Sequence, residues 1–418
     1  MARRRGTRRV ALAAAAAVAA AVVAAVATAP APAGATHDRH RGDDDGGGGG
    51  GGRGGGGCYG GGGYPHGPGR GRCVPALPRQ APRAGGVFGV ANRGGGTVSL
   101  IDAVTEEVVD TYPLPRGGEP MYLATPFGTR EVWVGDRANS VLHVLQVFEN
   151  KFFPTFQLHL PGCDGVFHTM ASMVPVSSGG TVWTTCDVSN VTVVADVTTH
   201  TVLATIPRPD GVDGVPHDTI ANDRFGYVSY IKNSDGAGYV AVYCLRTFSL
   251  LRLIRTAEDP HIGLFADSSV IIAAQGGEVS TYAQGLSGGR PLTVDATQPS
   301  PHGVTVAQGG RNGYITNIAD GGDAAIVTYR LGASAGAPQA GCGAVKTSRP
   351  IPHNLSIASD DRVMLLTHSG PNSTVVGLWS VDDDGCVEPD SERLVETGGN
   401  PFGVCFLRAL TVPERPCC

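Results

Sequence analysis

The sequence contains few charged and few aromatic residues. Asp, Glu, Lys and Arg make up 17% of its 418 residues, and Phe, Trp and Tyr make up 6%. Its one dense basic cluster lies within the first nine positions, and the formal net charge is −5. Because a nucleic-acid-binding domain carries a basic patch or stripe, we expect no nucleic-acid partner.

The sequence also lacks sustained helical periodicity. From Gly85 onward, short segments rich in Val, Ile, Thr and Tyr alternate with turns of Gly, Asp and Asn. Alternation with a period of two residues is typical of half-buried strands, whereas helices need apolar residues every three to four positions. The region 85–412 is therefore predicted to be one all-β domain.

Glycine is abundant, with 62 residues, and is concentrated in a tract at positions 46–63. Such low-complexity sequence has too little apolar surface to offset the entropy of ordering it, so residues 36–84 are predicted to be a disordered linker. Before it, residues 1–35 have the basic start, apolar run and Ala-Gly-Ala exit of a signal peptide. This indicates a secreted, periplasmic or cell-surface protein without a transmembrane span in its mature form. An uncleaved membrane anchor is the alternative.

The ten cysteines agree with an oxidising compartment, because they are even in number and mostly scattered. Their pairing stays open at this stage. The chain ends with a predicted Cys-containing tail, residues 413–418. The cysteines are Cys58, Cys73, Cys163, Cys186, Cys244, Cys342, Cys386, Cys405, Cys417 and Cys418.

A repeated pattern runs through the all-β region. Each copy has a start of the Pro-His type, an alternating strand, a polar turn and a second strand ending near Asn or Asp. The copies are marked by Met121, His168, His217, His261, His302, His353 and Phe402. The steps of 41 to 51 residues match one four-stranded propeller blade.

The last marker leaves no room for a complete blade before the chain ends. The missing strands are supplied by the segment Phe88–Leu114, which carries the later strands of a repeat without a first strand. Pairing of the two terminal segments would close the ring and remove two sheet edges. The prediction is a seven-bladed β-propeller whose N- and C-terminal strands share the closing blade.

The segments "GYITN" at 313–317 and "TVSLID" at 97–102 resemble the repeats of YVTN-type β-propellers. The resemblance covers most of residues 85–412 and is strongest in these two repeats. It implies membership of a superfamily of seven-bladed propellers that includes lactonase-like enzymes and the propeller of nitrous oxide reductase. It specifies the fold well and the chemistry poorly.

Five of the twelve histidines occur at the repeat markers. If the first strands line the channel, His168, His217, His261, His302 and His353 converge at one mouth, with Met121 and Phe402 completing the ring. Imidazoles are ligands for Cu and Zn, and a Met thioether favours Cu. Asp218, Asp259 and Glu119 stand beside the markers and are expected to line the channel or orient the imidazoles.

Other interpretations of the ring stay open. The histidines also fit polar channel lining, copied from blade to blade without a function, and the weak chemical signal favours this interpretation over a metal or catalytic ring. The function predicted from the sequence is an extracellular binding or scaffold domain for a small ligand, a glycan or a protein at the channel mouth, with a His-lined metal or ligand site there. The enzyme alternatives are a lactonase-like hydrolase, in which a His–Asp pair acts as general base, and a copper-type oxidoreductase. The nitrous oxide reductase itself is excluded, because the chain has five ring histidines and no cupredoxin domain.

Overall fold

The computed structural model describes residues 85–319, 324–331 and 342–408. These residues form 27 β-strands in seven sheets, and the only helical segments among them are four 3₁₀ turns. The turns are Arg93–Gly95, Pro115–Gly117, Val176–Ser178 and Gln284–Leu286. No helix in the described part of the chain is long and apolar enough to cross a membrane. The all-β prediction is confirmed.

The first blade joins the two ends of the described chain. Its strands are β1 (Gly86–Asn92), β2 (Thr97–Asp102), β3 (Val108–Pro113) and the last strand of the fold, β27 (Pro401–Arg408), in the order β27-β1-β2-β3. Strand β27 pairs antiparallel with β1, with Cys405 opposite Gly89. The predicted sharing of the closing blade by the terminal strands is confirmed.

The other blades follow in chain order, each beginning with its innermost strand. Blades 2 to 4 consist of β4 (Pro120–Ala124), β5 (Glu131–Asp136), β6 (Val141–Phe148), β7 (Lys151–His159), β8 (Val166–Ala171), β9 (Thr181–Cys186), β10 (Val191–Asp196), β11 (Thr201–Pro207), β12 (Val215–Ala221), β13 (Phe225–Ile231), β14 (Gly238–Cys244) and β15 (Leu250–Thr256).

Blades 5 to 7 complete the ring. They consist of β16 (Pro260–Leu264), β17 (Val270–Ala274), β18 (Glu278–Tyr282), β19 (Thr293–Asp295), β20 (Pro301–Val306), β21 (Asn312–Asn317), β22 (Ile326–Arg330), β23 (Pro352–Ile357), β24 (Val363–His368), β25 (Val375–Ser380) and β26 (Arg393–Glu396). Blade 6 has three described strands and a bridge from Ile326 to Val345. The predicted segments 1–35, 36–84 and 413–418 lie outside the described residues.

The hydrophobic core lies between the blades. Seven buried clusters each combine side chains from two neighbouring sheets, one cluster for every blade interface. Trp183 fills the interface of blades 3 and 4, and a Cβ on Gly226 would lie 2.2 Å from its ring. Close packing of this kind leaves no space for even one added carbon at position 226.

Two disulfides reinforce the blades. Cys163 bonds to Cys186, which ties the segment before β8 to the end of β9, and Cys342 bonds to Cys386. Cys244 and Cys405 are free thiols. The remaining four cysteines of the sequence lie outside the described residues.

A bulge near the start of the inner strand positions the channel-facing residues in six of the seven blades. In blade 6, Pro301 pairs with Asn317 and Val304 pairs with Ile315, so His302 and Gly303 together oppose Thr316. Strand β16 of blade 5 is the exception and pairs without a bulge. A bulge re-aims side chains and leaves a backbone group unpaired.

The hydroxyl of Thr316 satisfies that unpaired group. It accepts a hydrogen bond from the Gly303 N–H at 2.8 Å and donates to the His353 carbonyl of the next blade at 2.8 Å. Thr367 makes the same pair of bonds to Asn354 N and Phe402 O. The third residue of the Tyr-Ile-Thr-Asn segment thus joins one inner strand to the next.

We predict that Thr316→Val lowers the free energy of unfolding by about 1–3 kcal/mol. Valine keeps the shape of threonine but leaves a buried N–H and a buried C=O without a partner. Chemical denaturation of the purified variant measures the change. Thr305→Val, at a half-buried position of the neighbouring strand β20, is the matched control; equal losses for both variants would contradict the assigned role.

We also predict that Gly89→Cys forms a disulfide with Cys405. A Cβ at position 89 lies 3.0 Å from Cys405 Sγ, and bond geometry separates a Cβ from the far sulfur of a disulfide by roughly 3.0 Å. The bond would close the ring covalently, and a loop of this length gives an upper bound of roughly 6 kcal/mol from chain entropy.

Peptide mass mapping under non-reducing conditions detects this bond, and the thermal midpoint should fall when reductant is added. Gly89→Ser is the control and should show no reductant-dependent shift. A folded Gly89→Cys variant with an unlinked Cys405 would show that the paired strands do not have the described register.

Candidate metal centre at the hub

The inner strands place one side chain per blade around the channel. Strand pairing aligns the residue after the initial proline, or after its equivalent, in every blade. These ring positions are occupied by Met121, Phe167, His217, His261, His302, His353 and Phe402.

The position assigned to His168 from the sequence is wrong by one residue. Val166 pairs with Cys186 as Pro120 pairs with Asp136, and both are followed by a bulge of the same length. The ring position of blade 3 is therefore Phe167. This blade has no proline at the strand start, so the sequence offered no marker for the register.

The ring side chains pack side by side. The distances between neighbouring ring centroids are 4.8 Å for Phe167–His217, 4.9 Å for His217–His261, 3.8 Å for His261–His302, 4.8 Å for His302–His353 and 4.2 Å for His353–Phe402. The four ring histidines thus occupy consecutive blades 4 to 7. They are at most 7% exposed.

Asp259 brings a carboxylate to three of these histidines. It stands directly before Pro260 and has a positive φ of 52°, a conformation that Asp tolerates better than most residues. Its Oδ1 lies 3.3 Å from His217 Nε2 and 3.5 Å from His261 Nε2, and its Oδ2 lies 3.7 Å from His302 Nε2. The loop conformation therefore aims the carboxylate at the histidines.

These four residues form a compact group of metal-ligand atoms. One donor atom from each of His217, Asp259, His261 and His302 lies within 4.8 Å of the others, and His217 Nε2 is 3.3 Å from His261 Nε2. Asp259 Oδ1 and His302 Nδ1 are buried without a regular hydrogen bond in the described structure. Since buried polar atoms are normally paired, this arrangement can hold a metal ion.

Asp218 forms a second carboxylate contact, one residue beyond the ring position of blade 4. Its Oδ1 lies 3.0 Å from His168 Nε2, and its Oδ2 lies 3.7 Å from His261 Nδ1. It also accepts backbone hydrogen bonds from Ile262 N and Thr219 N, both at 2.7 Å. His168 is therefore held by Asp218 and is not one of the four clustered donors.

Burial and these contacts set the protonation of the carboxylates. Burial alone raises the pKa of Asp218, but His168, His261 and the Ile262 N–H outweigh it and bring the pKa to about 2. Burial likewise raises the pKa of Asp259, and the hydrogen-bonding and charge of the surrounding histidines lower it well below its usual range. Both carboxylates are consequently ionised at neutral pH.

Burial and the neighbouring charges shift the pKa values of the histidines in two directions. Burial lowers the pKa of His217 to about 4 and that of His353 to about 3, and it moves the pKa of His302 in the same direction. Burial also lowers the pKa of His261, but the contacts to Asp259 and Asp218 outweigh this and raise it overall. Most of the group is thus neutral imidazole, the form that binds metals.

The other predicted channel residues lie apart from the four-donor group. Met121 is fully buried at the ring position of blade 2, and in ring order Phe167 and Phe402 separate it from the histidines. Glu119 pairs with Arg93 at 2.6 Å, and the Arg93 guanidinium lies 5.2 Å from the centre of the Phe402 ring. Glu119 thus belongs to an ion pair at the side of the hub without histidines.

Three residues of the site were missed in the sequence. Phe167 was passed over for its neighbour, as described above. Tyr122 packs against His168 at 4.1 Å between ring centroids, and Asn354 Nδ2 approaches His353 Nδ1 at 2.8 Å. Both residues directly follow a ring position. Because the bulge turns two successive residues toward the hub, the position after each repeat marker was the place in the sequence to look for them.

Two Gly-x-Ser-x-Gly stretches occur, at 285–289 and 332–336. The first is a turn between β18 and β19 in which Gly285 and Leu286 are buried and Ser287 is exposed, and the second lies outside the described residues. A nucleophile elbow needs a sharp turn from a strand into a helix, and the turn at 285–289 leads from strand to strand. It therefore provides no hydrolase nucleophile.

No family model and no curated protein sequence matches the chain. Solved structures do match. A protein from Lactobacillus plantarum has a TM-score of 0.57 at 12% identity, with 78% of this chain and 100% of that chain covered. A candidate 6-phosphogluconolactonase from Bacteroides fragilis has a TM-score of 0.55 at 11% identity, covering 78% and 98%.

A third match is the hydrazine synthase of Kuenenia stuttgartiensis, with a TM-score of 0.54 at 12% identity, covering 68% of this chain and 89% of that one. At such low identity these similarities describe the fold and carry no information about chemistry. The chain has the seven-bladed β-propeller architecture that its lactonase-like structural neighbour shares.

Proposed function

We propose that the protein is an exported metal-binding β-propeller that holds one divalent transition-metal ion at its hub. The ligands are His217, His261, His302 and Asp259. The observation that supports this proposal is the convergence of their four donor atoms, which all lie within 4.8 Å of one another.

The spacing can be compared with known zinc geometry. Ligand atoms 2.0–2.2 Å from a tetrahedral zinc ion lie roughly 3.3–3.6 Å from one another. In the hub, three distances between donor atoms fall at 3.3, 3.3 and 3.5 Å, and the contact from Asp259 Oδ2 to His302 is 3.7 Å. The shorter of these distances match a tetrahedral shell, and all four donor atoms lie within 4.8 Å of one another.

Burial supports an ion rather than an organic substrate. Sites for small organic molecules are clefts of several hundred Å³, whereas the hub histidines are packed ring against ring and are almost inaccessible. A lactone would have to displace several of these side chains to reach the His–Asp pair. The hydrolase alternative is therefore less well supported.

The donor set favours zinc over copper. Three imidazoles and one carboxylate in a tetrahedral arrangement suit Zn²⁺, and a soft thioether would be the mark of a copper site. Met121 carries the only thioether of the ring, and phenylalanines stand between it and the histidines on both sides. A copper-type oxidoreductase thus lacks its distinctive ligand in this group.

We expect untagged full-length protein to bind one zinc ion per chain after loading and dialysis. Elemental analysis gives the stoichiometry, and saturating zinc should also raise the thermal midpoint, because a ligand that binds only the folded state stabilises it. The paired change His217→Gln/His302→Gln should abolish both effects. Histidines near the N-terminus are present in every variant, so they cancel in the comparison.

His159→Ala, at an exposed position of β7, is the matched control and should bind zinc like the wild type. Wild-type protein without bound zinc, or a folded double variant that keeps a full ion, would refute the metal centre. Copper offered in place of zinc tests the choice of metal by the same assay.

Export remains part of the proposal. It is supported by the composition of residues 1–35 and by the two disulfides, which form and persist in oxidising compartments. We predict cleavage after Ala35, which would make Thr36 the first residue of the mature chain. Expression in the native host followed by N-terminal peptide sequencing tests this, and intact residues 1–35 on a membrane-bound product would contradict it.

A further inference from the structure

Four phenylalanines of blade 2 are exposed to solvent and form a patch. Phe127, Phe148, Phe153 and Phe156 are between 44% and 57% exposed, and they are four of the 12 phenylalanines in the sequence. An exposed apolar patch on a soluble protein marks an interaction site. We propose that this phenylalanine patch is the docking site of the chain's own proline-rich segment, residues 75–83. The proposal is independent of the metal centre.

Strand pairing places three of the four side chains on one face of blade 2. In the hairpin of β6 and β7, Phe153 lies opposite Gln146 and Phe156 lies opposite Val144. Opposed residues share a face, as do residues two positions apart in one strand, so Phe148 belongs to the same face. Val144 packs in the core between blades 2 and 3. The three phenylalanines therefore stand along the seam between these two blades.

Phe127 reaches the same seam from the turn that follows the inner strand β4. Its carbonyl oxygen accepts a hydrogen bond from Val176 N of blade 3 at 3.1 Å. Across the seam, the His200 ring of blade 3 stacks on Phe156, with 5.3 Å between the ring centroids. Since β4 begins at the hub ring, the turn after it lies at the opposite end of the blade. The patch is thus remote from the histidines of the hub.

The first described strand starts close to the patch. Val87 of β1 pairs with Asp102, and Asp102 Oδ2 accepts a hydrogen bond from Asn150 Nδ2 at 3.1 Å. Asn150 lies two residues after Phe148, at the tip of the β6–β7 hairpin. In the polyproline II conformation, the nine residues 75–83 would cover about 28 Å. This length exceeds the width of a four-stranded blade, in which strands are about 4.8 Å apart.

The composition of the segment suits an aromatic surface. It reads Pro-Ala-Leu-Pro-Arg-Gln-Ala-Pro-Arg, with prolines at Pro75, Pro78 and Pro82. Proline presets the polyproline II conformation, which docks on aromatic-lined grooves at a low cost in entropy. The segment has two arginines and no acidic residue, whereas Glu107 and Glu149 are exposed carboxylates beside its point of entry. The same carboxylates would repel an anionic lipid surface.

Trypsin digestion of the full-length protein tests the docking. Arg79 lies within the segment, and Arg70 precedes it and serves as an internal reference. The patch variant is Phe127→Ser/Phe148→Ser/Phe153→Ser. In this variant, the rate of cleavage after Arg79 should rise roughly tenfold relative to the rate after Arg70, because proteolysis follows the population of the released segment.

A matched control and a second variant accompany this measurement. Leu250→Ser/Leu251→Ser removes similarly exposed apolar side chains from blade 4 and should leave the cleavage ratio unchanged. Pro75→Ser/Pro78→Ser changes the segment and leaves the propeller as it is, so it decides the question even if the patch variant does not fold. Its release should speed amide hydrogen exchange at residues 148–153 several-fold.

Other occupants of the patch give different results. An unchanged cleavage ratio in a folded patch variant, or unchanged exchange in Pro75→Ser/Pro78→Ser, would overturn the inference. Sedimentation velocity and flotation with phosphatidylcholine–phosphatidylglycerol vesicles detect a second copy or a lipid surface. A dimer or vesicle binding that the wild type shows and the patch variant loses would overturn it as well. Metal stoichiometry should be equal in all variants, because the patch is remote from the hub.

Discussion

The structure depends on the pairing of its last strand with its first. Strand β27 gives β1 an inner neighbour, places Cys405 and Leu407 in the core between blades 1 and 2, and brings Phe402 into the ring at the hub. Without that pairing, β1 would be an exposed edge, and seven equivalent positions would not surround one axis. The geometry of the hub is a consequence of closure.

Closure turns a linear repeat into a ring of neighbours. Residues about 40 to 50 positions apart in the sequence become adjacent side chains, as with His261 and His302, whose ring centroids are 3.8 Å apart. The hydroxyls of Thr316 and Thr367 carry this order from blade to blade by binding the bulge of one strand to a carbonyl of the next. These hydrogen bonds from side-chain hydroxyls to the backbone help to fix the height at which the ring side chains stand.

The fold was predictable because blade length, strand patterning and the missing first strand are all properties of local sequence. So was the meeting of His217, His261 and His302, which each follow a proline at the strand start. The assignment of His168 failed, since the register in blade 3 depends on a bulge and on the pairing of Val166, where no proline marks the start. The sequence identified Asp259 as a neighbour of the ring. The direction of its carboxylate toward three imidazoles, however, depends on a positive φ that no pattern in the sequence indicated.

The three blades that supply the proposed metal ligands are consecutive, and this has a consequence for how the protein is made. All four donor residues lie between positions 217 and 302, whereas the strand that closes the ring begins at Pro401. During synthesis from the N-terminus, the complete ligand set leaves the ribosome about a hundred residues before the closing strand does. An ion captured by blades 4 to 6 at that stage would act as a template for their mutual arrangement, so the timing of metal supply would influence folding yield as well as the finished site.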